Sequence, residues 1–244
     1  MMLLRLRDSR GHFRIAEHAP ICHSRSRRAR VRDGPMAIRN RTVTRLRYHS
    51  LASHAPPSDE LAMNFCSNCG ARIVVRIPDG DTLPRHMCEA CGTIHYRNPL
   101  MVVGSIPEWE GQVLLCKRAI EPRLGMWTLP AGFMELGESV AQGAIRETIE
   151  EANARVELGE MFTVLSVPHV NQVHIFYRAQ LLDLDFGPGT ESLEVALFRE
   201  DAIPWKELAF RTISTTLKHY YADRRQGAYR LHADEILAPH EPPA

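Results

Sequence analysis

The chain has 244 residues, 44% of them hydrophobic and 24% charged, with a formal net charge of +1. That is enough apolar sequence to build one medium domain or two small ones, which excludes a wholly disordered chain. No apolar run approaches the roughly 20 residues a membrane-spanning helix needs.

The near-neutral total hides an uneven distribution. Residues 1–62 hold 13 Arg, no Lys and 5 acidic residues, whereas the rest of the chain is acidic on balance. Such asymmetry can mark a nucleic-acid-binding arm or a targeting peptide. Asp8 and Glu17 interrupt the basic stretch, no cleavage pattern follows, and Met63 stands just before Cys66, where a compact domain would sensibly start. Residues 1–62 therefore read as an Arg-rich extension that is disordered or spurious, with targeting and a binding arm as the alternatives.

Residues 63–98 contain Cys66-x-x-Cys69 and Cys88-x-x-Cys91. Two such knuckles at this separation have the spacing of a four-thiolate zinc site, with disulfides or iron as the other readings. Gly70 and Gly92 follow each pair, where a tight turn calls for positive φ. Four sulfur ligands leave no open coordination position, so Zn²⁺ here would be structural. Cys116 lies in an apolar run and reads as core, and the cysteine usage suits a reducing cytoplasm.

A β-rich region follows Asn98-Pro99. Met101–Ile106 and Val113–Cys116 read as strands around a turn at Glu110-Gly111, and Trp127 reads as core. Beyond residue 154, Phe162–Leu165, Val173–Leu181 and Leu193–Phe198 read as strands, with a turn at Phe186-Gly-Pro-Gly. Ala202–Trp205 opens a short helix, Phe210–Ala222 forms a long one, and residues 226–244 read as a tail.

Residues 132–154 lie between these groups and carry the densest chemistry. Ser139 and Gln142 have the form of a capping box, which predicts a helix from residue 140. Ala141, Ala144, Ile145, Thr148 and Ala152 recur at helical spacing as a buried stripe, with Glu147, Glu150 and Glu151 on the roughly opposite side. Carboxylates three and four residues apart repel by a few tenths of a kcal/mol per pair. Mg²⁺ or Mn²⁺, which prefer carboxylate oxygen, would offset that cost; a solvated acidic face is the plainer reading.

Gly132, Glu138 and the run Arg146-Glu-Thr-Ile-Glu-Glu151, at their spacings, resemble the signature of the Nudix hydrolases. Asn153 replaces the usual glycine and Thr148 an aliphatic residue; asparagine is the next best residue for a left-handed helix end. The resemblance implies an α/β/α sandwich with a mixed sheet over residues 99–225, preceded by the small β-rich zinc ribbon. It also implies roles: Glu147 and Glu151 as principal Mg²⁺ or Mn²⁺ ligands, Glu150 as a further ligand or base, and Arg146 as the residue that orients a glutamate. Glu138 belongs to the same catalytic set, Ala131 and Gly132 would present backbone to the substrate, and Glu191, or else Glu194, would add a late carboxylate.

The cysteine knuckles, Tyr96-Arg-Asn-Pro99, Trp127–Phe133, Pro188–Glu194 and Leu208-Ala-Phe210 extend the likeness to the zinc-ribbon group of the family. That group includes ADP-ribose and FAD pyrophosphatase-like proteins. The resemblance implies hydrolysis of a nucleoside diphosphate derivative, FAD first and ADP-ribose or NADH after it. The NADH group carries Ser-Gln-Pro-Trp-Pro-Phe-Pro where this chain reads Leu165–His174, which leaves His169, Asn171 and Gln172 to read a base or sugar. A homodimer is common in the family, and nucleic acid or membrane is not an expected partner. The rival reading is a non-catalytic nucleotide sensor or nucleic-acid-binding regulator, which would be marked by loss of the charged positions; all are present.

Overall fold

The computed structural model describes residues 63–238; the extension over residues 1–62 lies outside the described residues. The first unit is a three-stranded antiparallel sheet, β1 (Val74–Arg76), β2 (Arg85–Met87) and β3 (Ile94–His95), in the order β1-β2-β3. Gly70 and Gly92 take φ of +75° and +74°, and each donates its N–H to the carbonyl of the first cysteine of its pair. Both turns therefore need the freedom that the missing Cβ gives.

The second unit is a mixed sheet ordered β10-β5-β4-β9-β8-β11. Its strands are β4 (Leu100–Trp109), β5 (Gln112–Arg118), β8 (Val156–Val167), β9 (Gln172–Leu181), β10 (Ser192–Phe198) and β11 (His232–Glu235). Short β6 (Trp127–Thr128) pairs with β5, and β7 (Ala131–Phe133) pairs with β4. The contacts β4·β9 and β8·β11 are parallel and the rest antiparallel. The turn joining β4 to β5 places Glu110 at φ +46° and Gly111 at φ +82°, as the Glu-Gly pair predicts.

Both faces of the sheet are covered, which explains apolar runs where simple alternation would leave one face polar. On one face lies α1 (Val140–Ala152); Leu114 and Cys116 of β5 pack there with Ala152, Ala154 and Leu181. On the other lies α2 (Arg211–Gln226); Ile106, Val113, Leu115 and Phe176 pack there with Ile213, Leu217, Tyr220 and Tyr221. Trp127 is a core residue, 6% exposed, with its ring edge-on to Phe198 at 4.9 Å.

Two sequence expectations change. The segment read as a tail contains β11, whose register runs His232–Glu235 beside Thr163–Ser166 of β8, with Ile236 buried against Leu165 and Val167. A short strand rich in polar residues pairs through backbone and leaves no alternating pattern to read. The acidic side of α1 is not wholly opposite the buried stripe either: Glu147 and Glu151 are 8% and 7% exposed, whereas Ile149 is 47% exposed. Among the described residues, no helix is long and apolar enough to cross a membrane.

Candidate active site

The site is built where the start of β7 meets α1. Ser139 caps the helix, accepting from the Gln142 N–H while the Gln142 side chain accepts from the Ser139 N–H. Asn153 closes it in the left-handed region at φ +46°. Its side-chain amide also donates to the Gly187 and Pro188 carbonyls, tying the helix end to the loop that carries Glu191. Thr148 is fully buried; its hydroxyl bonds the Ala144 carbonyl at 2.7 Å and the Ser105 hydroxyl at 2.6 Å, so it pins α1 to β4.

Close approach of helix and strand depends on missing Cβ atoms. A Cβ on Gly132 would overlap the Glu147 carboxylate, and one on Gly143 would come within 2.7 Å of both Glu138 Oε1 and Val103 Cγ2. Glycine at these positions lets a carboxylate lie against the strand backbone. That is why Glu147 sits between helix and sheet, where a helical wheel alone would send it to solvent.

Arg146 organises the carboxylates. Its guanidinium is held by Glu138 at 2.8 and 3.0 Å and donates to the Phe133 carbonyl at 3.1 Å. The Nη1 that remains donates to Glu147 at 2.7 Å and to Glu150 at 2.9 Å. Glu138 is itself fixed by the Glu135 N–H, and the Arg146 side chain with that N–H holds its carboxyl down to about 2. A charge-assisted bidentate pair of this kind fixes orientation as well as charge.

The two inner glutamates behave differently. Burial pushes the Glu147 carboxyl up, against the pull of Arg146. Burial and then the Glu147 charge push Glu151 further, to about 8. Glu151 accepts from the Ala131 N–H at 3.3 Å, so the residue before Gly132 meets the site through its amide. The Glu191 charge adds to the upward shift of both inner glutamates, whereas Glu194 is engaged by Lys117 at 3.6 Å. Of the two late carboxylates, Glu191 is the one within the electrostatic reach of the cluster.

Carboxylate oxygen is the donor that a hard divalent cation takes, and Mg²⁺ or Mn²⁺ bound by Glu147 and Glu151 would offset the burial that raises both carboxyls. Glu150 is more exposed and bound to Arg146. Sequence reasoning missed Arg118, whose charge pulls Glu151 down and whose Nε donates to the Pro122 carbonyl. Nothing in its local sequence singles it out; register brings it to the site.

The ribbon has a second metal geometry. Cys66, Cys69, Cys88 and Cys91 place their sulfurs within 4.8 Å of one another, and they are the cluster of potential ligands that converges this tightly among the described residues. The Cys66–Cys91 and Cys69–Cys88 sulfurs are 3.7 and 3.4 Å apart. A tetrahedron with Zn–S bonds of about 2.3 Å has edges of about 3.8 Å, so the cluster fits zinc, and the cysteines are free of disulfides. The Thr93 hydroxyl and N–H hold the Cys91 thiol down to about 5, favouring a thiolate ligand.

Comparison with known proteins agrees with this geometry. Residues 64–97 match the family model described as Nudix N-terminal, a zinc ribbon, and residues 101–218 match the NUDIX domain. An NAD-capped RNA hydrolase, NudC, of Pseudomonas aeruginosa is 31% identical over 169 residues, 67% of this chain and 57% of that protein. The chain thus spans little more than half the length of such relatives. An ADP-ribose pyrophosphatase of Methanocaldococcus jannaschii is 31% identical over 119 residues, 47% of this chain and 69% of that protein. The crystal structure of a Nudix hydrolase from Nitrosomonas europaea is 58% identical, with a TM-score of 0.70, covering 72% of this chain and 100% of that one. With the glutamate and arginine constellation in place on this fold, the chain belongs to the Nudix hydrolase family, in the group that carries an N-terminal zinc ribbon.

Proposed function

We propose that the protein is a Mg²⁺-dependent pyrophosphatase that cleaves the diphosphate bond of an adenine nucleotide derivative, with FAD as the first substrate to test and ADP-ribose and NADH after it. The observation that carries this reading is the pair Glu147 and Glu151, buried against β7 with both carboxyls shifted upward. Two buried acids whose charges oppose each other cost stability unless a cation or proton compensates them. The names of the relatives, an NAD-capped RNA hydrolase and an ADP-ribose pyrophosphatase, support a nucleotide carrying a diphosphate.

Glu147 and Glu151 would hold the cation, with Glu150 and Glu191 completing the acidic surround. A divalent cation bound there neutralises diphosphate oxygens and polarises phosphorus toward attack. Hydrolysis of FAD forms one bond from water oxygen to phosphorus and breaks one phosphoanhydride bond, giving FMN and AMP. The remaining work is positioning and electrostatics. Arg146, clamped by Glu138, keeps Glu147 and Glu150 at fixed angles. Glu150 or Glu191, both exposed, accepts the proton of the attacking water. Arg118 adds positive charge for the leaving phosphate.

The full chain, incubated with Mg²⁺ and separately with FAD, ADP-ribose, NADH and a diadenosine polyphosphate, tests the reading by chromatography of products. The reading expects AMP among the products, with FMN beside it from FAD. A folded, zinc-loaded protein that cleaves none of the four overturns it.

A further inference from the structure

The four sulfurs of the ribbon have close neighbours of their own. His95 Nε2 lies 3.3 Å from Cys66 Sγ, Thr93 Oγ1 lies 3.1 Å from Cys91 Sγ, and the Asn68 N–H donates to Cys66 Sγ at 3.4 Å. The Asn68 side chain joins these groups, donating to Thr93 Oγ1 at 3.4 Å and reaching Cys91 Sγ at 3.8 Å. These contacts all fall on the edge between Cys66 and Cys91, whose sulfurs are 3.7 Å apart.

Backbone geometry explains the convergence. Thr93 leads into β3, and its carbonyl accepts from the Cys88 N–H, which fixes it beside the second knuckle. Extended backbone sends successive side chains to opposite faces, so Thr93 and His95 share one side and Ile94 takes the other. β2, which runs directly into Cys88, holds the strand in register through Met87 beside Ile94 and His86 beside His95. His95 is thereby delivered to a cysteine 29 residues earlier in the chain.

An imidazole at this place could serve zinc as a ligand or as the partner of a ligand. The donor atoms that converge within 4.8 Å of one another are the four sulfurs, and the His95 nitrogen is not among them. Four thiolates already complete a tetrahedral zinc site. His95 therefore bears on Cys66 from outside the coordination sphere. A zinc-bound thiolate has no proton to give and can only accept, so the nitrogen facing it at 3.3 Å is the one that carries hydrogen. Four thiolates around one Zn²⁺ also leave an excess of negative charge, part of which an N–H aimed at sulfur withdraws.

We propose that His95 is a positioning residue of the zinc site, whose Nε2–H binds the Cys66 thiolate and helps to hold the metal in the ribbon. Thr93, on the same side of the strand, serves Cys91 in the same way through its hydroxyl. The assignment goes beyond the reaction at the glutamates and stands or falls without it.

Zinc affinity of the full chain, measured by competition with a chelator, tests the assignment together with the absorption spectrum of the Co²⁺-substituted protein. His95→Phe keeps a ring of similar size and removes the donor. It is expected to weaken zinc binding about tenfold, the low end of what losing an outer partner costs. The sulfur-to-cobalt charge-transfer bands are expected to move to longer wavelength, because the sulfur loses the hydrogen bond that stabilises its lone pair. His95→Gln brings an amide N–H to much the same place and is expected to recover most of both. Wild-type affinity and spectrum in His95→Phe overturn the proposal. So does a His95→Gln protein no better than His95→Phe, since ring packing would then account for the loss. A wild-type cobalt spectrum with a nitrogen ligand overturns it too, by placing His95 on the metal. Should His95→Phe not retain its ribbon, nitrogen NMR of the zinc-loaded wild type decides: hydrogen on His95 Nε2 is expected, and hydrogen on Nδ1 alone overturns the proposal.

Discussion

Glu151 couples proton and cation chemistry in one side chain. With its carboxyl raised to about 8 by burial and the Glu147 charge, the metal-free protein holds a proton there at neutral pH. An unfolded glutamate titrates near 4.5, so between roughly pH 4.5 and 8 the folded state binds more protons than the unfolded one. The Glu151 contribution to metal-free stability therefore falls as pH rises through that window. Mg²⁺ competes with the same proton, so its affinity is expected to strengthen up to about pH 8 and to level off above, with proton release on binding. Calorimetry in two buffers of different ionisation heat measures that release; an affinity flat from pH 6 to 8 would contradict the assignment. Gly132 gives a second residue-scale test. The methyl of Gly132→Ala would occupy the Glu147 carboxylate position, so turnover is expected to drop about tenfold or more while thermal stability falls by about 1–3 kcal/mol.

At the scale of elements, α1 was the most legible part of the chain. Its capping box, its left-handed Asn153 and its charged positions stand in one continuous stretch, so local rules reach them. What local rules missed was the face: the wheel sets Glu147 and Glu151 opposite the apolar stripe, but Gly132 opens room for Glu147 between helix and strand. Arg118 was illegible for a different reason: at the end of β5, it acts on Glu151 only through strand register, which no spacing in the sequence encodes. Asn153, a departure from the family's glycine, acquires a role that sequence could not supply, because its amide bonds the Gly187 and Pro188 carbonyls. Asn153→Gly should keep the helix end, since glycine suits φ +46°, yet loosen the loop bearing Glu191. Hydrogen exchange at residues 187–192 is expected to rise, with α1 protection unchanged. Ser139→Ala, by contrast, removes the cap itself and is expected to cost about 0.5–2 kcal/mol in urea unfolding.

At the scale of the whole molecule, the ribbon and the Nudix domain offer a metal two different kinds of donor. Four thiolates would close the ribbon site around zinc, whereas the carboxylates of α1 would suit a cation that exchanges with solvent and substrate. A thiol-directed zinc chelator is expected to unfold residues 64–97 and spare the secondary structure of the main sheet, which circular dichroism and exchange can separate. In the proposed reaction, buried Glu151 supports cation-dependent cleavage of a diphosphate. The most direct test measures ADP-ribose and FAD hydrolysis across a Mg²⁺ titration, for the wild type and for Glu151→Gln, with melting temperature as the control for folding. Wild-type activity is expected to vanish without Mg²⁺, and the variant to lose at least about 100-fold at saturating Mg²⁺. A folded Glu151→Gln protein that hydrolyses either substrate at the wild-type rate, with the same Mg²⁺ dependence, would contradict it.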